Sequence, residues 1–233
     1  MSDLVKYSDG KIDTSMDLLR LYLDRYRGEI TLACSFSIED TVLIDMIMKI
    51  DPKTEIFTID TGRLPEETYR IWEKIEERYK IKITPYFPNM VDVESMIARI
   101  GINGFYYSLQ NRKECCRVRK IEPLKRALKN KKAWICGLRK EQGITRENIE
   151  TVEQDENGVL KINPLADWTF EDLLEYSNCH DLPLNELYQK GYTSIGCEPC
   201  TRVPTDPDDP RSGRWWWEDS LHKECGLHIK EKL

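Results

Sequence analysis

Short apolar stretches and amphipathic stretches alternate along the first half of the chain. Apolar, partly β-branched runs predict buried strands at residues 30–34, 55–60, 81–87 and 133–136. Apolar residues at helical spacing predict helices at residues 13–27, 41–50, 65–79, 93–100 and 122–129. Strands that alternate with helices imply a mainly parallel sheet with right-handed crossovers, and therefore an α/β fold.

The second half of the chain has a weaker pattern. Residues 151–160 are polar, which predicts a hairpin or an exposed loop, and Thr169 is the expected N-cap of a helix. Residues 204–217 are rich in proline and end in three consecutive tryptophans, so a loop with a packed aromatic end is expected. We therefore predict an α/β domain over residues 1–203 and a C-terminal segment over residues 204–233.

The polar turn after the first strand, residues 35–40, leads into a helix. A helix N-terminus at this position favours an anion, because it offers unpaired N–H groups and the positive end of the helix dipole. Ser35 and Ser37 add hydroxyl groups. The sequence has neither GxxxxGK[ST] nor GxGxxG, so these residues alone favour an ordinary turn with a serine N-cap.

Two other turns place charged residues where α/β sheets bind ligands. Asp60 and Arg63 follow the second predicted strand, and Arg139 follows the strand at 133–136. Ligands bind beyond the carboxyl ends of parallel strands, which makes Arg139 a candidate clamp for an anion.

Composition limits the partners of the chain. Its 233 residues are 40% hydrophobic and 33% charged, and no apolar run approaches the roughly 20 residues that cross a bilayer. The net charge of -6 argues against a nucleic-acid partner. The first residues lack the pattern of a secretory signal, so we expect a cytoplasmic location, where eight cysteines are more readily metal ligands or nucleophiles than disulfides.

Two close pairs of cysteines give the strongest chemical signal. Cys115 and Cys116 lie in a basic run, which favours thiolates, and Cys197 and Cys200 form a second pair. Four thiolates suit tetrahedral zinc or an iron–sulfur cluster. Zinc needs its sulfurs about 3.8 Å apart, whereas adjacent residues point in different directions, so the spacing favours the cluster. Disulfide exchange at the second pair is a weaker alternative.

A further cysteine near the C-terminus, Cys225, stands apart from these pairs. It is followed by a glycine and has His222 and His228 nearby, which suits a nucleophile that approaches a bound substrate, although for a single cysteine an incidental role is the default interpretation. Cys34 and Cys136 lie on predicted buried strands and are expected to be packing residues.

Seven short motifs follow one another along the chain. They are Ala33-Cys34-Ser35-Phe36-Ser37, Asp60-Thr61-Gly62, Cys115-Cys116-x-x-Arg119-Lys120, Gly137-Leu138-Arg139, Gly196-Cys197-x-Pro199-Cys200-Thr201, Arg211-Ser212-Gly213-Arg214-Trp215 and Glu224-Cys225-Gly226-Leu227-His228. In this order the chain resembles the assimilatory adenylyl-sulfate (APS) reductases, from about residue 30 to residue 228.

The resemblance implies an adenine-nucleotide α-hydrolase-like fold with a modified PP-loop at residues 35–40. It implies a [4Fe-4S] cluster on Cys115, Cys116, Cys197 and Cys200, and Cys225 as the catalytic thiol in the C-terminal segment. The expected substrate-binding residues are Ser35, Phe36, Ser37, Asp60, Thr61, Gly62 and Arg139. The other expected catalytic residues are Lys120, Arg211, Arg214 and His228, the last to orient or acidify Cys225.

The reaction that the resemblance implies is reduction of APS to sulfite and AMP through an S-sulfocysteine, in sulfate assimilation and cysteine biosynthesis. The expected partner is thioredoxin or a similar dithiol, and a homo-oligomer is possible. Relatives that reduce the 3′-phosphorylated substrate (PAPS) generally lack both cysteine pairs, which favours APS, although some cluster-bearing members accept both.

Two other functions are alternatives to APS reduction. An ATP-pyrophosphatase-type ligase or a sulfate adenylyltransferase small subunit would need an SGGxDS-like loop and leaves the cysteine pairs unexplained. A non-catalytic iron–sulfur or zinc protein would use the same cysteines without turnover.

Overall fold

A mainly parallel sheet forms the centre of the protein. The computed structural model describes residues 2–143, 146–155, 158–206 and 209–218. Within these residues the strands are β1 (Ile30–Cys34), β2 (Glu55–Ile59), β3 (Thr84–Tyr86), β4 (Ala133–Ile135), β5 (Val152–Gln154) and β6 (Leu160–Ile162). Their order is β3-β2-β1-β4-β6-β5, and only β5 and β6 pair antiparallel. The predicted α/β fold is confirmed, and the polar stretch at 151–160 is a hairpin.

Helices cover both faces of the sheet. They are α1 (Ser2–Arg25), α2 (Ile38–Ile50), α3 (Glu66–Tyr79), α4 (Met90–Ile100), α5 (Leu109–Cys116), α6 (Glu122–Ala127) and α7 (Phe170–Cys179). The predictions at 41–50 and 93–100 start too late, because Glu39 and Asp40 belong to the first turn of α2 and the Asn89 side chain caps α4 directly before Met90. The predicted Thr169 N-cap is confirmed, since its side chain accepts from the Asp172 N–H.

Alternate residues of the strands pack into two hydrophobic clusters. Leu32 and Ile56 belong to the cluster beneath α1, α2 and α7, whereas Phe57 and Trp134 belong to the cluster that includes Ala127 of α6. The sheet is therefore buried on both faces, as parallel sheets require. Every helix in the described ranges is too short or too polar to traverse a bilayer.

Hydrophobic spacing does not predict α5, because this helix is largely polar and has no apolar face. The Ser108 side chain caps it by accepting from the Asn111 N–H. The chain continues through a π-helical turn, Arg117–Ile121, directly into α6. Pro123 has no N–H to donate, and the wider turn accommodates the break in the hydrogen-bond pattern.

Candidate active site

A cavity of about 490 Å³ lies at the carboxyl ends of β1, β2 and β4. β2 and β4 flank β1 on opposite sides, and open α/β sheets bind their ligands at such a switch point. Of the residues predicted to act on substrate, the cavity is lined by Ser35, Ser37, Thr61, Lys120, Arg139, Arg211 and Arg214. Cys197 also lines it, so one of the paired cysteines borders this space.

The loop after β1 satisfies several of its hydrogen-bond donors internally. One Asp40 carboxylate oxygen accepts from the Ser35 N–H at 2.6 Å and from the Ser35 hydroxyl at 2.7 Å. The Ile38 N–H donates to the Tyr188 hydroxyl at 3.0 Å. Ser37 occupies the N-cap position of α2, but its side chain makes no capping bond. These contacts leave the loop poorly suited to hold a pyrophosphate in this conformation.

Asp40 itself lies in a strongly perturbed environment. Burial raises the pKa of Asp40 from 3.8 to about 6, although the hydrogen bonds from Ser35 act in the opposite direction. The carboxyl therefore titrates close to neutral pH.

Arg139 is already paired within the protein. Its guanidinium donates to Glu39 at 2.9 Å, to Glu141 at 2.8 Å and to the Trp168 carbonyl at 3.2 Å. The side chains of Arg139 and Glu39 are both only 6% exposed, so this ion pair is buried. Arg139 lines the cavity as predicted, but two carboxylates compensate its charge.

Three predicted substrate contacts are absent from the described cavity lining, namely Phe36, Asp60 and Gly62. Phe36 is 1% exposed and stacks on Trp72 with ring centroids 5.4 Å apart. Its φ of 63° is a left-handed conformation that non-glycine residues seldom adopt. Phe36 therefore shapes the loop from inside the core.

The turn after β2 supports the second cysteine pair. The Asp60 carboxylate accepts from the Gly62 N–H at 2.8 Å and from the Tyr69 hydroxyl at 2.9 Å, which fixes the turn. The Thr61 hydroxyl lies 3.2 Å from the Cys197 sulfur. Arg119 donates to the Thr61 carbonyl at 2.6 Å. Asp60 and Gly62 thus act on the shape of the turn, and Thr61 touches both the cavity and a cysteine.

Three cations of the cavity lining belong to the predicted catalytic residues, and two of them, Lys120 and Arg214, act on the charge of Cys197. Lys120, Arg211 and Arg214 line this space. Arg214 is 5% exposed and donates to the Ser194 hydroxyl and the Ile195 carbonyl, both at 3.2 Å. Its contacts in the described chain are therefore with neutral oxygens, and its Nε has no partner there.

Gly196 provides the space that Arg214 occupies. A Cβ atom at this position would lie 2.2 Å from one guanidinium nitrogen of Arg214 and 2.6 Å from its central carbon. A side chain at residue 196 is therefore incompatible with this position of Arg214.

All four paired cysteines line one small pocket. They share it with Arg112, Arg119, Lys120 and Trp215, among others. Cys197 and Lys120 also line the large cavity, so the two spaces are neighbours. The sequence prediction that the two pairs converge is therefore consistent with the geometry.

The thiols of this pocket differ in the direction in which their pKa values are shifted. Burial raises the pKa of Cys115, and burial together with the Cys197 charge raises the pKa of Cys200 to about 12. Burial also opposes ionisation of Cys197, but Lys120 and the Thr61 hydroxyl outweigh it, and the pKa of Cys197 is lowered. Among the described residues, no group of three or more Cys, His, Asp or Glu side chains could hold a single metal ion.

The sequence gives no role to several residues that build the site, although two of them belong to the motifs above. Arg112 and Arg119 lie in the basic run around the first cysteine pair, and both are buried. Gly196 directly precedes Cys197, and a glycine beside a candidate ligand is a signal of close packing. The predicted catalytic residues Cys225 and His228 lie outside the described residues.

With the fold and cavity defined, similarity to known proteins places the chain in a family. A family model described as the phosphoadenosine phosphosulfate reductase domain matches residues 29–203. The chain belongs to this family. Three relatives named adenosine 5′-phosphosulfate reductase illustrate the similarity within it.

The relative from Allochromatium vinosum is 47% identical over 208 residues, which cover 89% of this chain and 81% of the relative. The relative from Burkholderia cepacia is 43% identical over 215 residues, or 92% of this chain and 86% of that protein. The relative from Pseudomonas aeruginosa strain LESB58 is 39% identical over 234 residues, or 97% and 86%.

Solved structures agree with the fold. The phosphoadenylyl-sulfate reductase of Candida auris is 26% identical, with a TM-score of 0.71 over 87% of this chain and 98% of that one. An FMN adenylyltransferase of Candida glabrata is 16% identical, with a TM-score of 0.64 over 88% and 69%, and shows a shared fold only.

Proposed function

We propose that the protein reduces APS to sulfite and AMP in sulfate assimilation, for cysteine biosynthesis, in the cytoplasm. The relatives named adenosine 5′-phosphosulfate reductase support the substrate. The observation that carries the proposal is that three cations, Lys120, Arg211 and Arg214, line one switch-point cavity. Such an arrangement suits a nucleotide whose anionic end points toward these cations.

The proposed nucleophile is the thiolate of Cys225. It attacks the sulfur of APS, an S–S bond forms while the S–O bond to phosphate breaks, and AMP leaves with the electron pair. A thiolate of thioredoxin, or of a similar dithiol, then attacks the Cys225 sulfur and releases sulfite. The second thiol of the reductant resolves the mixed disulfide, so the reductant is oxidised and Cys225 is regenerated.

The cavity residues have separate roles in this proposal. Lys120, Arg211 and Arg214 balance the charge on the substrate while an anionic thiolate approaches, and His228 orients or acidifies Cys225. Fixed cations in a partly dry site act strongly on charge that develops on a leaving group, and loss of one typically costs about a hundredfold in rate. Ser35, Ser37 and Thr61 are proposed to contact the nucleotide.

We further propose that Cys115, Cys116, Cys197 and Cys200 hold a [4Fe-4S] cluster. The four thiols border one pocket, and the buried Arg119 Nε beside them lacks a partner among the described residues. The adjacent residues Cys115 and Cys116 point their side chains in different directions, which fits the separate irons of a cluster better than one zinc ion. When bound, the cluster supplies a structural crosslink and fixed charge near Lys120.

The cluster proposal is tested by metal content. Cys197→Ala is expected to lose iron and to lower the melting temperature, as measured by elemental analysis and thermal unfolding. Stoichiometric zinc in a colourless wild-type protein would overturn the proposal.

An ATP-dependent ligase is the less favoured alternative. Its chemistry requires the loop after β1 to hold a pyrophosphate, but Asp40 and Tyr188 already take up N–H groups of that loop. Pyrophosphate release from ATP by the purified protein would favour this alternative.

The activity is tested by sulfite release from APS with thioredoxin as the reductant. Cys225→Ser is expected to abolish release while APS binding persists. Cys179→Ser is the matched control, since Cys179 is exposed at the end of α7 and is expected to leave the rate unchanged. PAPS in a parallel reaction measures substrate preference. Full activity of Cys225→Ser would contradict the mechanism.

A further inference from the structure

Arg112 on α5 is a fully buried arginine outside the cavity lining. Its side chain is 1% exposed, and it donates two hydrogen bonds to Glu218, from Nε at 3.0 Å and from an Nη at 2.8 Å. Glu218 is 7% exposed, so the whole bidentate pair is sheltered from water. Removing one member of a buried ion pair leaves an uncompensated charge, which is strongly destabilising.

Trp215 connects this pair to the cations of the cavity. Its indole is 1% exposed, and three guanidiniums lie near the ring centroid: Arg112 at 4.8 Å, Arg211 at 5.9 Å and Arg214 at 4.7 Å. The backbone of Trp215 has a φ of 43°, a left-handed conformation that costs free energy in a residue other than glycine. Surrounding contacts must therefore hold it in place.

Backbone hydrogen bonds join the same segment to the second cysteine pair. The Trp215 N–H donates to the Cys200 carbonyl at 3.2 Å, and the Arg202 N–H donates to the Gly213 carbonyl at 3.0 Å. A Cβ atom on Gly213 would lie 2.1 Å from the Arg202 carbonyl oxygen, so this close approach requires glycine. Residues 211–218 are thus held by backbone hydrogen bonds to Cys200 and Arg202 and by the side chain of Arg112.

We propose that Arg112 is a positioning residue for the anionic end of the substrate. Through its pair with Glu218 and its contact with Trp215, it holds residues 211–218 so that Arg211 and Arg214 line the cavity. The proposal rests on the proposed function, because the substrate's anionic end is what these cations would meet. Arg112 is absent from the described cavity lining and therefore acts through the other two arginines.

The charge balance explains why Glu218 matters. Three guanidinium groups lie near the Trp215 ring, and Glu218 compensates the charge of the buried one, Arg112. Cys116 also acts on the charge of Arg112, but without the carboxylate less of that charge is balanced, so the repulsion of Arg211 and Arg214 increases in this region of low dielectric. Arg214 is sensitive to this repulsion, since its described hydrogen bonds are with neutral oxygens.

Calorimetric binding of APS, AMP and adenosine to cluster-loaded protein tests the proposal. Glu218→Gln is expected to weaken APS and AMP binding by about tenfold, comparable to the loss of one charge-assisted contact, while adenosine binding stays within twofold. Glu218→Asp, which keeps the charge, is expected to recover most of the affinity. Arg112→Lys, which loses the bidentate geometry, is expected to fall between wild type and Glu218→Gln.

The matched control is Glu153→Gln. Glu153 pairs with Lys161 at 3.0 Å, and the two side chains are 10% and 7% exposed, so this variant also removes one carboxylate from a buried ion pair. It is expected to lower the melting temperature without changing the ratio of APS to adenosine affinity.

The binding measurements distinguish the positioning role of Arg112 from the proposed reduction of APS. Glu218→Gln with a lower melting temperature but wild-type APS affinity would overturn the positioning role, as would equal losses for APS and adenosine. Wild-type protein that binds neither APS nor AMP would instead overturn the proposed function.

Discussion

The arginines of the site differ in what balances their charge. Arg139, which the sequence marks as an anion clamp, is paired with Glu39 and Glu141. Arg214 is equally buried, but its described hydrogen bonds are with neutral oxygens. A buried guanidinium without a carboxylate is costly unless an anion binds there. Arg214 is therefore the better candidate for a direct contact with the substrate.

Gly196→Ala tests this assignment of Arg214. The added methyl group would overlap the guanidinium, so Arg214 must move, and we expect APS affinity to fall by about tenfold. Calorimetry on the variant measures the change. Gly10→Ala is the control, because a Cβ atom there meets nothing within 4 Å and alanine favours the helix. Equal APS affinity in both variants would contradict the assignment.

The titration of Asp40 predicts a pH dependence of stability. Burial, the largest cause, raises its pKa from 3.8 in the unfolded chain to about 6 in the folded protein. Between these values the folded state binds more protons, so the free energy of unfolding falls as pH rises from about 4 to about 6, by up to about 3 kcal/mol.

Asp40→Asn is expected to flatten this part of the stability curve. The measurement is the melting temperature at half-unit steps between pH 4 and pH 7, for the variant and for wild type. Parallel curves for the two proteins would show that Asp40 does not titrate in this range.

At the element scale, the helix that carries Cys115 and Cys116 is the main surprise. Its residues are largely polar, so no hydrophobic period marks it, and the burial of its Arg112 depends on Glu218, which is far away in sequence. The strands were predictable because parallel strands buried on both faces are continuous apolar runs. β1 has the predicted bounds, whereas β2, β3 and β4 are shorter than predicted, since only hydrogen-bonded residues belong to the ladder.

The π-helical turn between α5 and α6 offers a test at this scale. Pro123→Ala restores an N–H donor, so we expect the turn to relax toward a regular α-helix and to rotate Lys120 relative to Cys116. APS affinity is expected to fall by about tenfold, with little change in melting temperature. Calorimetry and thermal unfolding measure the two effects, and wild-type affinity would show that the wider turn does not position Lys120.

For the whole molecule, the location of the site was easier to predict from the sequence than the contacts between its side chains. Strand order brings the predicted residues Ser35 and Arg139 to one cavity, because the carboxyl ends of the parallel strands β1 and β4 share an edge. Lys120 reaches the same cavity from the π-helical turn before α6. The inward role of Phe36 and the turn made by Asp60 could not be predicted, since both depend on packing against α3.

The division into residues 1–203 and 204–233 remains a proposal. Thr201 pairs with Arg214 across this boundary, and Trp215 packs against Arg112 of α5. The beginning of the C-terminal segment is therefore held against the α/β domain. This attachment fits an account in which residues 211–218 supply cations and Cys225 supplies the thiol.

The step that distinguishes the proposed mechanism is transfer of the sulfonate from APS to Cys225 before any reductant acts. It is tested by mass spectrometry of peptides from protein that was incubated with APS alone. We expect a sulfonate on the peptide that contains Cys225, which a dithiol removes with release of sulfite. Sulfite formation from APS with Cys225 unmodified, or a sulfonate on another cysteine, would show that Cys225 is not the nucleophile.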